Sequence, residues 1–250
     1  MKNIFIHIPK TGGSSFIGLL KDTFGYSQTS TPPTHLINTI EDTTIYHVDF
    51  KSTERTFKKP EIFNVDTRER FSSAKIFMLV RNPVERLISE FNFQFHLLNG
   101  KNGHPAAGII QRLPEIPKDF EQYANFPHVH NYQTKFLSGR SLADPTPLNQ
   151  EEFDQIIDTI EELSITCGIT DEYNKFLTAF QNTTGIRLKT KLTVRKQTPQ
   201  ALKLSLPDAT LEKIRDNNLF DYKLYEYIKS KQSKLKADNF KHLEPSKFTI

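Results

Sequence analysis

The feature that most constrains this chain is a glycine-containing loop between two apolar segments. The run Asn3-Ile4-Phe5-Ile6-His7-Ile8 consists of strand formers, and after the loop apolar residues recur at helical spacing, at Phe16, Ile17, Leu20 and Phe24. The sequence therefore predicts a strand, a loop and a helix in that order. A helix that begins directly after such a loop presents several N–H groups and the positive end of its dipole to one point, which suits an anion.

The loop carries the residue types that an anion site needs. Gly12 and Gly13 let the backbone approach a ligand without a Cβ atom, and Lys10 adds a mobile positive charge. Three residues add hydroxyl donors, namely Thr11, Ser14 and Ser15. A plain glycine turn with a surface lysine is the alternative, but the preceding strand and the adjoining polar residues favour the anion site. The kinase pattern GxxxxGK[ST] is absent because the lysine here precedes the glycines, which argues against an NTPase.

Further apolar patterns predict the rest of an α/β domain. Strands are expected over residues 43–50, Lys75–Val80 and 163–169, and the continuous apolar run of the second is typical of a central strand in a parallel sheet. Helical patterns cover residues 132–137, 150–163, 171–182, 208–217 and 221–231. The stretch 101–127 is rich in Gly, Pro and His and predicts an irregular excursion.

Composition and charge describe one ordinary globular domain of 250 residues, 36% hydrophobic and 25% charged. The net charge of +4 comes entirely from the part beyond residue 228, where six lysines accompany only Asp238 and Glu244. We therefore expect a single domain over residues 1–230 and a basic, flexible tail over residues 231–250. A nucleic-acid or membrane partner is not expected.

Cys167 is the only cysteine, so neither an intrachain disulfide nor a cysteine zinc cluster can form. No stretch approaches 18 apolar residues, and the first strand-like run leaves no room for a charged and an apolar signal region. A cytoplasmic protein without a membrane span is expected.

A second motif follows the predicted strand Lys75–Val80. Asn82 can cap the next helix, and Pro83 suits its first position, where a missing N–H costs nothing. The stripe that packs on the sheet consists of Val84, Leu87, Ile88, Phe91 and Phe95. Arg86 and Ser89 fall with Asn82 on the opposite face. Arg81 at the strand end and Ser89 on the helix can converge on a phosphate.

Residues 7–15 and 80–89 resemble two motifs of the carbohydrate sulfotransferases related to heparan sulfate 2-O- and 6-O-sulfotransferases. The resemblance implies a P-loop-type three-layer α/β sandwich with a central parallel β-sheet. It also implies a donor, 3′-phosphoadenosine-5′-phosphosulfate (PAPS), used without a metal ion. In that family the first motif wraps the 5′-phosphosulfate and its lysine, here Lys10, contacts the bridging oxygen.

The second motif holds the 3′-phosphate in the family, which transfers to Arg81 and Ser89. The family usually has Asp where Asn82 stands, a departure that leaves these contacts intact. Arg86 is expected to form a helix-face salt bridge or to brace the loop.

A histidine suits the general base, because a pKa near neutrality lets it accept a proton. His47 ends the second predicted strand, and the carboxyl ends of parallel strands face the ligand crevice. Its segment also resembles a His-Val strand of the 2-O-sulfotransferases that carries their base. His35 is the alternative, and Asp49 or Glu90 would need a raised pKa.

Three later segments resemble further parts of the family. Residues 131–137 resemble a helix beside the active site, and residues 167–172 resemble a Gly-x-Thr-Glu turn, although Thr170 or Asp171 could simply cap a helix. Arg195 and Lys196 fall where related enzymes carry a basic loop that closes over PAPS.

The resulting hypothesis is sulfuryl transfer from PAPS to an acceptor hydroxyl. The resemblance favours a carbohydrate or glycoconjugate, handled by a prokaryotic-type cytosolic enzyme. Residues 97–130 are expected to shape the acceptor cleft. A small-molecule kinase on the same scaffold and a catalytically silent nucleotide-binding or interaction module are the alternatives.

Overall fold

The computed structural model describes residues 3–25, 37–40, 43–47, 71–98, 113–140, 144–189 and 204–241. Within them a five-stranded sheet has the order β2-β3-β1-β4-β5. The strands are β1 Asn3–His7, β2 Ile37–Ile40, β3 Thr43–His47, β4 Lys75–Val80 and β5 Thr166–Ile169. Pairing is parallel between β3 and β1, β1 and β4, and β4 and β5, which confirms the predicted parallel sheet. The unpredicted β2 pairs antiparallel with β3, and its four residues are too few for a clear alternating pattern.

The helices of the described ranges are α1 Gly13–Phe24, α2 Pro83–Leu98, α3 Phe120–Asn125, α4 Tyr132–Ser138, α5 Gln150–Glu162, α6 Tyr173–Thr184, α7 Asp208–Asn217 and α8 Leu219–Lys241. The predicted boundary at residue 230 lies within α8. None of these helices has the length and apolarity needed to cross a membrane.

Helix α3 corrects the expectation that residues 101–127 are irregular throughout. The side chain of Asp119 caps it by accepting a hydrogen bond of 2.8 Å from the amide of Gln122. Phe120 and Tyr123 pack into the core. A six-residue helix is too short for a periodic pattern, so its cap and packing decide the conformation.

The sheet is covered on both faces, which confirms the three-layer arrangement. Phe5, Phe77 and Leu79 pack with α1 and α6 on one face. On the other face Ile4, Ile6, Ile76, Met78 and Val80 pack with residues of α2, α3, α4, α5 and α8. Successive side chains of β1 and β4 therefore enter different cores, as expected for strands buried on both sides.

The parallel strands bring four chain segments to one edge of the sheet. The loop of residues 8–12 follows β1, and His47 ends β3 in register with His7 of β1. Arg81 directly follows β4, whose last residue pairs with Ile169, the last residue of β5. In an open α/β sheet this carboxyl edge is where ligands bind.

Candidate functional site

The loop after β1 has a backbone shape suited to an anion. Lys10 and Gly12 have φ of 71° and 88°, both left-handed, whereas Thr11 between them does not. Such alternation turns successive N–H groups toward one concave side. At Gly12 a Cβ atom would also approach Cε2 of Tyr173 to 3.3 Å. Glycine therefore suits this position both for its left-handed backbone and for the small space beside Tyr173.

The carbonyl oxygens of residues 8–12 all accept hydrogen bonds from protein groups. Their donors are, in order, the Thr11 hydroxyl (2.8 Å), Arg86 Nε (3.4 Å), Arg81 Nη1 (3.5 Å), the Thr170 hydroxyl (3.0 Å) and the Ser15 amide (3.0 Å). These bonds fix the loop backbone, and left-handed residues on either side of Thr11 suit a concave row of N–H groups that can bind an anion.

Helix α1 begins where this loop ends, and its first N–H groups have no partners within the helix. Ser14 is exposed and Ser15 is half-buried, so both can meet a ligand. The Thr11 side chain is fully buried and its hydroxyl bonds Ile8. A ligand contact by Thr11 would therefore come from its backbone N–H rather than from the predicted hydroxyl.

Gly13 is required for packing against β1 as well as for access to a ligand. A Cβ atom at this position would lie 2.1 Å from Cδ2 of His7, far inside van der Waals contact. His7 is 5% exposed and stacks on Phe5 with ring centroids 6.0 Å apart. The ring of His7 therefore fixes how closely α1 approaches the end of β1.

Two cations of the predicted site are Lys10, within the loop, and Arg81, beside it. Lys10 directs Nζ over the ring of Phe93 on α2, 4.0 Å from its centroid. Arg81 contacts the Lys10 carbonyl and forms a 3.1 Å salt bridge with Glu85. The structure thus brings Arg81 into contact with the loop, while its predicted role at the 3′-phosphate stays a prediction. Ser89 is half-buried on α2.

Arg86 braces the loop from a buried position. It is 1% exposed, bonds the Pro9 carbonyl through Nε and pairs with Glu90 at 3.3 Å. Its guanidinium carbon lies 3.4 Å from the ring centroid of Tyr132 on α4. The predicted bracing role is confirmed. Its placement on a face of α2 away from the core is wrong, because α4 covers that face too.

Glu90 fits poorly as the alternative base. It is 1% exposed, and its second oxygen accepts a 2.7 Å bond from Nε2 of Gln94. Both carboxylate oxygens are therefore engaged inside the protein, one by Arg86 and one by Gln94. The geometry assigns Glu90 to the support of the loop brace.

Thr170 and Tyr173 support the loop from the β5 side. The Thr170 hydroxyl lies 3.0 Å from the carbonyls of both Thr11 and Val80, and the Tyr173 hydroxyl lies 3.4 Å from that of Gly12. Helix capping by Thr170 or Asp171 is not observed, since α6 begins at Tyr173 without a side-chain cap. The turn after β5 holds the loop instead.

The remaining predicted residues differ in how the structure bears on them. The backbone of His47 lies at the carboxyl end of β3, on the strand next to β1. His35, Asp49, Arg195 and Lys196 lie outside the described residues. Gln133 was not predicted as a site residue, yet its side-chain amide bonds both the N–H and the carbonyl of Arg81. The helical pattern over residues 132–137 predicted its helix, and only the 131–137 resemblance placed that helix beside the active site.

Comparison with protein families decides the identity. The sulfotransferase family model matches residues 2–228. The chain belongs to the sulfotransferase family. Membership implies sulfuryl transfer to a hydroxyl-bearing acceptor and the P-loop-type α/β fold predicted from the sequence. The family generally uses PAPS as donor. A comparison with individual curated proteins finds no match.

Proposed function

We propose that this sulfotransferase takes the sulfuryl group from PAPS and transfers it to a hydroxyl of a carbohydrate or glycoconjugate. The observation that carries the proposal is the loop of residues 8–12, whose five carbonyls are bonded to protein donors and whose Lys10 and Gly12 have left-handed backbone. Arg81 adds a cation at the end of the neighbouring strand, with its Nη1 3.5 Å from the Lys10 carbonyl. Two anion positions suit a donor whose phosphates lie on different parts of the nucleoside.

The residues present fit both ends of that donor. At the 5′ end we assign the amides of Thr11, Gly12 and Gly13 and the hydroxyls of Ser14 and Ser15. At the 3′ end we assign Arg81 and Ser89. The Arg81 side chain is 24% exposed, and its present partner Glu85 is 56% exposed, so a phosphate can compete for the guanidinium.

The chemistry requires little beyond positioning and charge stabilisation. PAPS supplies a sulfuryl group on a phosphate leaving group, and transfer resembles the loose in-line transfer of phosphoryl groups. We assign Lys10 to the negative charge that develops on the leaving oxygen. We assign His47 to the acceptor proton, because β3 places its backbone at the ligand-binding edge. No metal ion takes part in this scheme.

Other assignments rest on the resemblance. Arg195 and Lys196 are proposed to close over PAPS, and residues 97–130 to shape the acceptor cleft. The carbohydrate acceptor is likewise proposed from the two motifs shared with the heparan sulfate enzymes. A cytoplasmic site of action is proposed because Cys167 is the only cysteine.

The test is transfer of sulfur label from PAPS to a panel of sugar hydroxyls. We expect label in at least one acceptor, with turnover reduced more than about tenfold in both Lys10→Ala and His47→Ala, since a general base alone is worth roughly 10²–10⁴. Lys213→Ala, at an exposed site on α7, is the matched control and should keep full turnover.

The same assay separates the alternatives. Transfer of the γ-phosphate of ATP to the panel would support the kinase. Binding of 3′-phosphoadenosine-5′-phosphate (PAP), the desulfonated product, without turnover of either donor would support the silent module. Turnover of both variants within about tenfold of the wild type would show that the two catalytic roles are misassigned.

A further inference from the structure

The backbone of Arg81 is held by one side chain from another helix. The side-chain amide of Gln133 accepts a 2.9 Å hydrogen bond from the Arg81 N–H through Oε1 and donates one of 2.9 Å to the Arg81 carbonyl through Nε2. This pairing is what a neighbouring strand would provide. The pairing of β4 with β5 ends at Val80 and Ile169, so Gln133 continues it for one more residue.

Gln133 is itself held by a buried carboxylate. Asp221 on α8 is 1% exposed, and its Oδ2 accepts from the Gln133 backbone N–H at 3.1 Å and from Nε2 at 3.5 Å. Its Oδ1 accepts from the amide of Thr134 at 2.8 Å and from the Thr134 hydroxyl at 2.6 Å. The carboxylate therefore fixes both the start of α4 and the orientation of the Gln133 amide.

The position of Asp221 is fixed in return by the residue before α4. Asn131 accepts hydrogen bonds through Oδ1 from the amides of Phe220 and Asp221, at 2.9 and 3.2 Å. The backbone N–H of Asn131 donates to Oδ1 of Asn218 at 2.9 Å. The starts of α4 and α8 thus cap one another, and this paired cap is the support on which Gln133 rests.

We propose that Gln133 is a positioning residue for recognition of the 3′-phosphate, acting through Arg81, with Asp221 orienting its amide. Because both backbone groups of Arg81 are bonded to one rigid side chain, the direction in which its side chain leaves β4 is fixed before a ligand arrives. Such preorganisation strengthens a charged contact without adding another. The proposal rests on the proposed function, which assigns Arg81 to the 3′-phosphate.

A purely structural role for Gln133 has a different signature. Loss of a fully buried side-chain amide would lower the free energy of unfolding and would weaken the binding of all nucleotides alike. If Gln133 positions Arg81, its loss weakens only the binding of the nucleotide that carries the 3′-phosphate. The quantity that separates the two is the ratio of the dissociation constants of adenosine 5′-monophosphate (AMP) and PAP, which isolates the 3′-phosphate.

The experiment measures this ratio calorimetrically for the full chain at fixed salt. The variants are Gln133→Met, Arg81→Ala, the double variant of both, and Thr134→Val. The last removes a hydrogen bond to the same carboxylate without touching Arg81 and is the matched control. We expect Gln133→Met to reduce the ratio by about fivefold, as the loss of one or two hydrogen bonds would. Thr134→Val should keep it, and the double variant should match Arg81→Ala.

Two results would overturn the proposal: a wild-type ratio retained in Gln133→Met within about twofold, or a further loss in the double variant beyond Arg81→Ala. If Gln133→Met does not fold, Gln133→Asn serves, because it keeps a neutral amide beside Asp221 but is one methylene too short to pair with both backbone groups of Arg81. If the wild type binds AMP and PAP equally tightly, the proposed function is refuted, and with it the role of Gln133 in recognising the 3′-phosphate.

Discussion

The hydroxyl of Thr170 lies 3.0 Å from the carbonyl oxygen of Thr11, although the two residues are 159 positions apart in the chain. The same hydroxyl lies 3.0 Å from the carbonyl of Val80. One side chain after β5 is therefore placed against both the loop that follows β1 and the end of β4. This contact, together with the bonds from Arg81 and Arg86, holds the loop in place relative to the sheet.

Thr170→Val should weaken donor binding while leaving the fold intact. Loss of the one hydroxyl proton that the carbonyls of Thr11 and Val80 share is expected to reduce PAP affinity about three- to tenfold, since a net hydrogen bond contributes roughly 0.5–1.5 kcal/mol. Calorimetric titration measures the effect. Thr178→Val on α6 is the control, because its hydroxyl bonds only the exposed carbonyl of Asn174. Equal affinities of the two variants would contradict the role given to Thr170.

Gly13→Ala should destabilise the protein through a single clash with His7. The new Cβ atom would lie 2.1 Å from Cδ2 of a ring that is 5% exposed, so the ring or the helix must move. Overpacking of this kind costs about 1–3 kcal/mol in the free energy of unfolding. The cost measured by urea unfolding should fall markedly when Gly13→Ala is introduced into His7→Ala. Additive effects of the two changes would show that His7 does not set the spacing.

Removing one partner of the buried Arg86–Glu90 pair should cost more than replacing both. Both side chains are 1% exposed, so Glu90→Leu leaves an uncompensated guanidinium, at roughly 3–5 kcal/mol of unfolding free energy. The double variant Arg86→Met with Glu90→Leu should be more stable than Glu90→Leu alone in urea unfolding. If instead Glu90 is the catalytic base, Glu90→Gln would reduce turnover by about 10²–10⁴ without a comparable loss of stability.

The sequence predicts those parts of the fold and site that depend on local chemistry. The strand, loop and helix of residues 3–24 were predicted from the spacing of their apolar residues and from the glycines between the two apolar segments. The cap of α2 by Asn82 is confirmed by bonds of 3.0 and 3.3 Å to the amides of Val84 and Glu85. The family was predicted from two motifs of this local kind.

What escaped prediction depends on contacts between distant segments. Gln133 lies 52 positions from Arg81, and nothing in its own neighbourhood indicates where its amide points. Arg86 is buried because Tyr132 of α4 packs over it. It lies on the polar face of α2, opposite the apolar stripe, and that pattern gives no sign of a helix packed there. Helical periodicity identifies the side that meets the sheet but not a second helix packed across it.

Lys135 should make stability depend on pH in alkaline solution. It is 1% exposed, and Nζ donates to the carbonyls of Pro127 and Asp144 at 3.1 and 2.6 Å. Burial lowers the pKa of Lys135 from its ordinary 10.5 to about 8, although the carboxylates of Asp144 and Asp221 oppose the shift. Between these two pH values the unfolded chain holds a proton that the folded chain has lost, so the stability contributed by this group rises with pH.

The measurement compares wild type with Lys135→Met in urea unfolding from pH 7 to about pH 10. The stability of the wild type relative to the variant should be constant below about pH 8 and then rise by at most about 1.4 kcal/mol per pH unit. Lys213→Met, at an exposed position, should show no such rise. A difference between wild type and Lys135→Met that stays flat or falls would contradict the lowered pKa.

The most direct test of the proposed PAPS site is a calorimetric titration of the wild type with PAP and, separately, with ATP and Mg²⁺. If the loop and Arg81 hold the 5′ and 3′ phosphate groups as proposed, PAP should bind at least about tenfold more tightly than ATP, a difference of roughly 1.4 kcal/mol. Arg81→Ala should remove most of that preference. ATP with Mg²⁺ binding as tightly as PAP, or more tightly, would contradict a site built for PAPS.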